Sequence, residues 1–371
     1  MPVKVLQLIK SLGRGGAEML LPETLQHHNK EAFVFYYAYF LPWKNQLVHA
    51  LEEKEVKVQL FPAKNNLQLL LQVRQLKQFV EQNGIELIHC HLPWAGFAGR
   101  LLHMWTGIPV VYTEHNKQER YHFLTRLLNN ISFNKQSKVI AVSNDVALSI
   151  AKNIRPKVPV QLIQNAVDTT KFQPEANLRL GLRTQWEIPA NALVIGTVAV
   201  FRFQKRLEEW LEVFAAVAEK HPQVRGIIVG AGPLQSEIET KARQLKLQGK
   251  LLMPGLQTNV KPWLAAMDVF MMTSQFEGLP IALLEAMSMG CIPACTAAGG
   301  IGEVITNQKN GVLVPVDAWR QLIPAIEQLI SNPQQQERFA VAARETVVNR
   351  FNMRRMVEEL EKMYSEVTGS Y

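Results

Sequence analysis

Short apolar runs alternate with stretches of helical spacing along the whole chain. In the first half, strands are predicted at 3–9, 34–40, 85–89, 110–113 and 139–142, and helices at 15–25, 67–82, 95–106 and 121–131. This strand–helix rhythm predicts a parallel sheet covered on both faces, because parallel neighbours need a crossover between them. After an irregular stretch at 168–189 the pattern resumes. Strands are expected at 194–200, 226–229, 250–253, 269–273, 292–295 and 311–314, with helices at 208–220, 234–245 and 260–267 and one more carrying Glu285. A last helical pattern at 353–364 sets Met356, Leu360 and Met363 on one face and could pack anywhere on the surface. The expected architecture is α/β, two doubly wound, Rossmann-like domains at 1–170 and 171–352 facing a central cleft, followed by a C-terminal helix within 353–371. Small-molecule sites favour such clefts, at the carboxyl ends of strands.

Charge sharpens the picture. The formal net charge is +8, and residues 1–170 hold 19 Lys and Arg against 12 Asp and Glu, whereas 171–371 hold 21 against 20. A basic first half suits phosphorylated substrates, an anionic membrane or nucleic acid, without choosing among them. Lys117, Arg120, Arg126, Lys135 and Lys138 surround an apolar stripe of Leu124, Leu127, Leu128 and Ile131. Such a stripe serves either as core or as contact with an anionic membrane surface. The chain start alternates too early and too briefly for a secretory signal, and no run reaches the ~18–20 apolar residues of a spanning helix. The expectation is a cytoplasmic protein, soluble or peripheral on the inner face of the membrane. Cys90, Cys291 and Cys295 read as buried small hydrophobes.

Candidate chemistry gathers after predicted strands. Glu277-Gly-Leu-Pro-Ile-Ala-Leu-Leu-Glu285 puts one carboxylate before a helix and a second two turns inside it, with Pro280 suited to the first helical position. A helix N-terminus behind a flexible glycine offers N–H groups to an anion such as a diphosphate. Ser11-Leu-Gly-Arg-Gly-Gly-Ala-Glu18 is either a tight turn or a phosphate-facing loop in which Gly13, Gly15 and Gly16 supply unusual φ; its spacing is not the dinucleotide fingerprint. Phe201-Arg-Phe-Gln-Lys-Arg206 sets Arg202, a planar fork, near Lys205, a mobile point charge, at a helix start where the dipole disfavours cations. His91 and His115 each follow a predicted strand and could donate to a phosphate or sugar hydroxyl, whereas His89 reads as structural. The turn Ala297-Ala-Gly-Gly-Ile-Gly-Glu303 adds a further acid at a helix start.

With these loops around Glu277 and Glu285, the chain resembles the retaining glycosyltransferases of family four, which have the GT-B fold. The likeness spans nearly the whole chain and is most specific over 201–315. Val229-Gly-Ala-Gly-Pro233 and Asn310-Gly-Val-Leu-Val-Pro315 agree with it, as do Gly15-Gly-Ala-Glu18 and Thr113-Glu-His115. The resemblance implies transfer of a sugar from a nucleoside diphosphate sugar, UDP favoured over GDP, to a hydroxyl of a glycan or lipid-linked acceptor. It implies retention of anomeric configuration, no metal, no cofactor and no nucleic-acid partner.

By residue, it implies that Arg202 and Lys205 neutralise the diphosphate with backbone N–H groups of Gly15, Gly16, Gly278 and Leu279. Glu277 would hold donor-sugar hydroxyls, Glu285 the ribose, and His115 would reach the sugar and the reacting region. The base would lie near 254–256, and the C-terminal helix would cross back to the first domain. Acceptor contacts would come from His91, Trp94, Arg120 and Tyr121. Arg202 and Lys205 stand three apart where the family more often has five, which leaves Arg202's contact open. No Asp-x-Asp pair occurs in the chain, so protein groups would have to replace a metal. The rival readings are an epimerase of the same fold and a sugar-nucleotide-binding protein without chemistry.

Overall fold

A computed structural model of the protein describes residues 1–369. The chain divides into two compact units, one formed by Met1–Asn165 with the segment from Met353 onward, the other by Ala166–Asn352. The last two residues of the expected 353–371 segment lie outside the described residues.

The first unit runs β1 (Val3–Ile9), α1 (Gly16–Leu25), β2 (Phe33–Tyr39), α2 (Val48–Glu52), β3 (Lys57–Leu60), α3 (Asn66–Leu71), α4 (Val73–Asn83) and β4 (Leu87–His91). It continues α5 (Pro93–Thr106), β5 (Val110–Glu114), α6 (Phe123–Ser132), β6 (Lys138–Ala141), α7 (Asn144–Asn153) and β7 (Val160–Leu162). All seven strands are parallel, in the order β3-β2-β1-β4-β5-β6-β7.

The second unit runs α8 (Ala176–Gln185), β8 (Val194–Val198), α9 (Leu207–Lys220), β9 (Arg225–Val229), α10 (Gln235–Gln244), β10 (Leu251–Gly255), α11 (Lys261–Ala266) and β11 (Val269–Met272). Then follow α12 (Ile281–Ser288), β12 (Ile292–Thr296), α13 (Ile301–Val304), β13 (Val312–Val314), α14 (Leu322–Ile330) and α15 (Pro333–Arg350). Its six strands are also parallel, ordered β10-β9-β8-β11-β12-β13. The two doubly wound sheets have the architecture expected from the alternating pattern.

α16 (Met353–Thr368) belongs to the first unit. It buries Met356, Leu360, Met363 and Tyr364, with the Tyr364 ring 5.8 Å from Phe33. Its apolar stripe is therefore core, not loose surface packing.

Several boundaries differ from expectation. The strand predicted at 85–89 lies two residues later, because β4 is the central strand and its polar residues are paired in register, Gln7 with His89 and Ile9 with His91. His91 thus ends a strand and does not follow one. The 67–82 pattern is two helices separated at Gln72, and the helix expected from 121 starts at Phe123 after a 3-10 turn at Gln118–Arg120. The irregular stretch contains α8, whose apolar residues are sparse. The strands β3 and β7, absent from the sequence reading, are short edges with half-buried residues, so they lack the continuous apolar run of a strand covered on both sides.

A partly buried ionic cluster ties α8 to the sheet of the second unit. Asp268 precedes β11 and accepts from Arg183 Nη2 at 2.8 Å, Arg179 Nη2 at 2.5 Å and the Val194 backbone N–H at 2.7 Å. Arg183 is 4% exposed and also donates to the carbonyls of Ala266 and Ala192. Removing the carboxylate would leave a buried guanidinium without its counter-charge, which costs about 3–5 kcal/mol. Asp268→Ala should lower the urea midpoint by that order, read by circular dichroism. A loss below about 1 kcal/mol would show that water or the carbonyls compensate.

Candidate functional site

In each unit the strand order reverses at one place, between β1 and β4 and between β8 and β11. At such a switch point the loops leaving two neighbouring strands diverge, and a crevice opens at the carboxyl ends. The loops in question are the ones that carry most of the expected residues.

In the second unit, the loop after β8 makes a 3-10 turn at Phe203–Lys205, with the Lys205 N–H donating to the Arg202 carbonyl. The turn brings Lys205 back to the loop after β11, where Lys205 Nζ lies 2.6 Å from Glu277 Oε1. Both side chains are largely buried. Ser274 Oγ donates to the same Oε1 at 2.6 Å, so two donors share one oxygen and Oε2 carries no bond from a described protein group. Lys205 keeps two further N–H bonds to give, which suits an anionic ligand. Arg202 is exposed and takes no part in this pair. The expected two-cation clamp is therefore half assembled, Lys205 being fixed by Glu277 while Arg202 stands at the opposite end of the turn.

Three features hold the loops together. Phe203 and Phe276 pack with ring centroids 5.8 Å apart, Gln275 N–H donates to the Gln204 carbonyl, and Thr273 Oγ1 donates to the Arg206 carbonyl at 2.7 Å. Arg206 has φ of 47°, a left-handed conformation unfavourable for a side-chain-bearing residue and sustained by such surroundings. Behind the loop, Gly230 has φ of 135°, and a Cβ on it would lie 1.9 Å from the Ala199 carbonyl oxygen. The turn after β9 can thus lie directly on the backbone leading to Arg202.

The helix carrying the second carboxylate starts one residue later than expected. Pro280 is its N-cap, with ψ of 121°, and Glu285 is the fifth helical residue, half-buried and one turn in, not two. The Gly278 carbonyl accepts from the Gly300 N–H at 2.7 Å, which pins the turn that includes the buried Leu279. Pro254 and Gly255, where the base was expected, close β10, and Leu256 is exposed beyond them.

In the first unit Gly15 caps α1 with φ of −92°, and neither it, Gly13 nor Gly16 takes a positive φ. The unusual φ expected there is absent. What Gly15 permits is proximity, since a Cβ would meet the Glu18 carboxylate at 2.3 Å. His115 directly follows β5 and contacts His91, Nε2 to Nδ1 at 3.4 Å. Burial lowers the His115 pKa to about 4, so its ring is neutral at neutral pH. His91 has its other nitrogen 2.8 Å from Gln7 Oε1, which leaves neither ring nitrogen for an outside acceptor.

Tyr121 donates to the fully buried Glu114, which also takes bonds from Tyr112 Oη at 2.9 Å and Gln118 Nε2 at 2.6 Å. Burial raises the Glu114 pKa and these bonds oppose it. Its visible task is to hold the 115–121 loop. Trp94 is half-buried with Lys10 Nζ 5.9 Å above its ring, and Arg120 is exposed. Ser274 was not singled out from sequence, and Gly230 and Glu114 stood only inside quoted motifs with no role of their own. A polar pair ending the apolar run of β11 marks Ser274, and the donors of Glu114 are all near in sequence, at Tyr112, Asn116, Gln118 and Tyr121.

Residues 15–171 match the family model described as Glycosyltransferase Family 4, and residues 181–346 match Glycosyl transferases group 1. The chain belongs to the family-four glycosyltransferases. This glycosyltransferase is 24% identical to the N-acetyl-alpha-D-glucosaminyl L-malate synthase of Bacillus anthracis, with 79% of this chain and 78% of that protein aligned. It is 23% identical to an Escherichia coli UDP-Gal:alpha-D-GlcNAc-diphosphoundecaprenol alpha-1,3-galactosyltransferase over 79% of this chain and 78% of the relative. Its fold matches Anabaena HepE solved with UDP and glucose, with TM-score 0.88, 21% identity, and 98% of this chain and 100% of that one covered. Transfer, and not binding alone, is therefore the activity of the protein. Among the described residues no group of three or more His, Cys, Asp or Glu could hold a metal ion.

The desolvated imidazoles of the glycosyltransferase should make it acid-sensitive. Desolvation brings His89 to about 3 and His115 to about 4 and holds His91 well below its ordinary value. The unfolded chain then binds more protons than the folded one below about 6.5, so stability is lost as pH falls from there toward 4, by at most about 1.4 kcal/mol per pH unit for each ring. Glu114, with its raised pKa, opposes this as a single group. The urea midpoint should therefore be lower at pH 5 than at pH 7. A flat or rising profile would mean that the three rings are protonated in the folded state.

Proposed function

We propose that the enzyme transfers a sugar from a UDP-sugar to a hydroxyl of a glycan or lipid-linked acceptor, with retention and without a metal. The observation that carries this is the largely buried Lys205–Glu277 pair beside the switch point of the second unit. Departure of the diphosphate loads negative charge onto its oxygens. A preset cation stabilises that charge more in the transition state than in the ground state. Lys205 would supply it, helped by Arg202 and by N–H groups at the start of α12. Glu277, with Oε2 uncommitted to protein, would accept from donor-sugar hydroxyls, and Glu285 from the ribose.

In the first unit, His115 would meet sugar hydroxyls and the Gly15–Gly16 turn would offer backbone N–H groups. Retention follows the reading in which the leaving phosphate itself takes the acceptor's proton. UDP is favoured by the ligands of HepE and the donor in the name of the Escherichia coli relative.

Incubation with UDP-sugars should release UDP, and the release should persist in EDTA. Lys205→Ala should remove most turnover while keeping the fold, since a charge-assisted bond is worth roughly 1.5–3 kcal/mol, or some ten- to hundredfold in rate. Normal turnover in a folded Lys205→Ala variant would sink the assignment, and loss of activity on chelation with recovery in magnesium would overturn the metal-free reading.

The acceptor reading extends to an anionic membrane surface. Helix α6 is inverted, with Thr125 and Asn129 buried while Phe123, Leu124, Leu127, Leu128 and Ile131 are 39–71% exposed. Asn129 faces inward because it bonds Arg100 Nη1 and Gln118, within a polar interior that also uses Gln136. The outward apolar face is rimmed by the exposed cations Arg120, Arg126 and Lys135. Lys117 and Lys138, counted in the same rim from sequence, are paired with Asp145 and Glu366. No described helix is long and apolar enough to cross a membrane.

An apolar face with a basic rim fits insertion at a headgroup interface. Co-sedimentation with anionic vesicles at low salt should exceed that with neutral vesicles. It should fall as salt shortens the Debye length below about 10 Å, and Leu127→Glu should abolish it. Equal recovery in the supernatant with both vesicle types would rule it out and favour a soluble acceptor.

A further inference from the structure

Two lysines at the carboxyl edge of the first unit's sheet have no described carboxylate to pair with. Lys10 directly follows β1, where its Nζ donates to Asn66 Oδ1 at 2.7 Å and lies 5.9 Å from the centroid of the Trp94 ring. An ammonium has three N–H bonds to give, so two of these find no acceptor among the described residues. Lys10 is half-buried, and a charge in such a place costs free energy unless acceptors or a counter-charge reach it. Lys44 is exposed in the loop after β2, the strand beside β1. The two loops are zipped together. The Lys10 carbonyl accepts from the Phe40 and Leu41 N–H groups, and the Lys44 carbonyl accepts from the Leu12 N–H at 2.9 Å.

The side chain of Lys44 passes beside the glycine turn, since a Cβ on Gly13 would lie 3.8 Å from the Lys44 Cβ and Cδ. Desolvation and the Lys44 charge both lower the Lys10 pKa, so the second ammonium adds to the imbalance around the first. Glu18, the carboxylate nearest in sequence, accepts from Ser11 Oγ at 3.0 Å and forms no described ion pair with either lysine. The place is the switch point of the unit, where β1 and β4 are neighbours and the strand order reverses. Trp94 is the second residue of α5, after β4, and Asn66 opens α3, after β3. The Trp94 ring is half-buried and stands at 88° to Phe97, 5.2 Å away, which fixes its orientation. An indole beside two ammonium groups combines an apolar face for the C–H side of a sugar ring with N–H donors for an anionic substituent on it.

We propose that Lys10 and Lys44 form an anion subsite for the acceptor, so that the accepting sugar carries a carboxylate or a phosphate and rests against Trp94. The ligand supplies the counter-charge that the protein withholds. The contacts of Lys10 separate this subsite from the donor's phosphates. Its ammonium meets the first residues of α3 and α5, whereas the Gly15–Gly16 turn offered to the donor opens α1. The inference rests on the proposed transfer to an acceptor and names the chemistry of that acceptor.

The test is calorimetric titration of the whole protein with α-D-glucose 1-phosphate, D-glucuronate and D-glucose, with UDP present to fill the donor's phosphate contacts. The better of the two anions should bind roughly tenfold more tightly than glucose, and the difference should shrink as salt is raised. Preference for the phosphate assigns an acceptor phosphorylated at its anomeric carbon, as a lipid-linked sugar is; preference for glucuronate assigns a carboxylate-bearing glycan. Lys10→Gln and Lys44→Gln should each remove most of the anion preference while leaving the glucose and UDP dissociation constants and the circular dichroism unchanged. Equal binding of all three probes, binding of none, or an anion preference that survives in both variants would overturn the proposal. A weakened UDP affinity in either variant would give the lysines to the donor and overturn it as well. Should Lys10→Gln fail to fold, the exposed Lys44→Gln and the wild-type preference still decide. Absence of UDP release from UDP-sugars, with the anion preference intact, would sink the transfer reading alone.

Discussion

Parallel pairing is the constraint on which the rest of this protein depends. Two parallel strands cannot be joined by a tight turn, so the chain must return through a crossover, and every strand then ends at the same edge of its sheet. Side chains far apart in sequence are delivered to one edge without any contact between them being required for folding. Lys205 and Glu277 are 72 positions apart, yet they meet because β8 and β11 are neighbours and the chain leaves both at the same end. The loops there can carry strain and exposed charge because the central strands beneath them are buried.

The same burial sets a price on every polar group inside. In the first unit Gln7, His89, His91 and Thr113 lie on paired central strands, Glu114 ends one of them, and α5 supplies Arg100, all under 9% exposed. Each must find a partner or cost free energy. Three solutions coexist. The histidines stay neutral and bond one another, Glu114 collects tyrosine and amide donors, and the Arg100 guanidinium lies 4.9–5.5 Å from the ring centroids of Tyr112, Phe133 and Phe97 while it bonds side chains of α6 and Gln136. The last solution explains α6. Drawing Asn129 inward to bond Arg100 and Gln118 turns the leucines outward, so the outer surface is a consequence of how the inner one is satisfied.

Much of this was legible in the residue order. The strand–helix alternation reflects two periods, two and 3.6 residues, that are local properties of the backbone. The motif of two glutamates, the cation loop and the glycine turns are contiguous segments, and they identify the family correctly. The central strands of both sheets were readable as apolar runs because they are covered on both faces. The edge strands β3 and β7 and the helix α8 were not, because an element with one solvated side needs no continuous apolar run.

Sequence by itself determined the repeated α/β pattern, the loops that follow the strands and the residue types those loops carry, since each depends on neighbours a few positions away. Tertiary structure alone decided which of those residues meet. Lys205 turned to Glu277 and Arg202 did not, because a three-residue 3-10 turn leaves them at opposite ends. His91 became an interior link because β4 extends two residues further to stay paired with β1. The apolar stripe of α6 faced outward because Asn129 had buried partners on other elements. These outcomes depend on bonds between side chains up to 357 positions apart, as between Gln7 and Tyr364, and no local pattern records them.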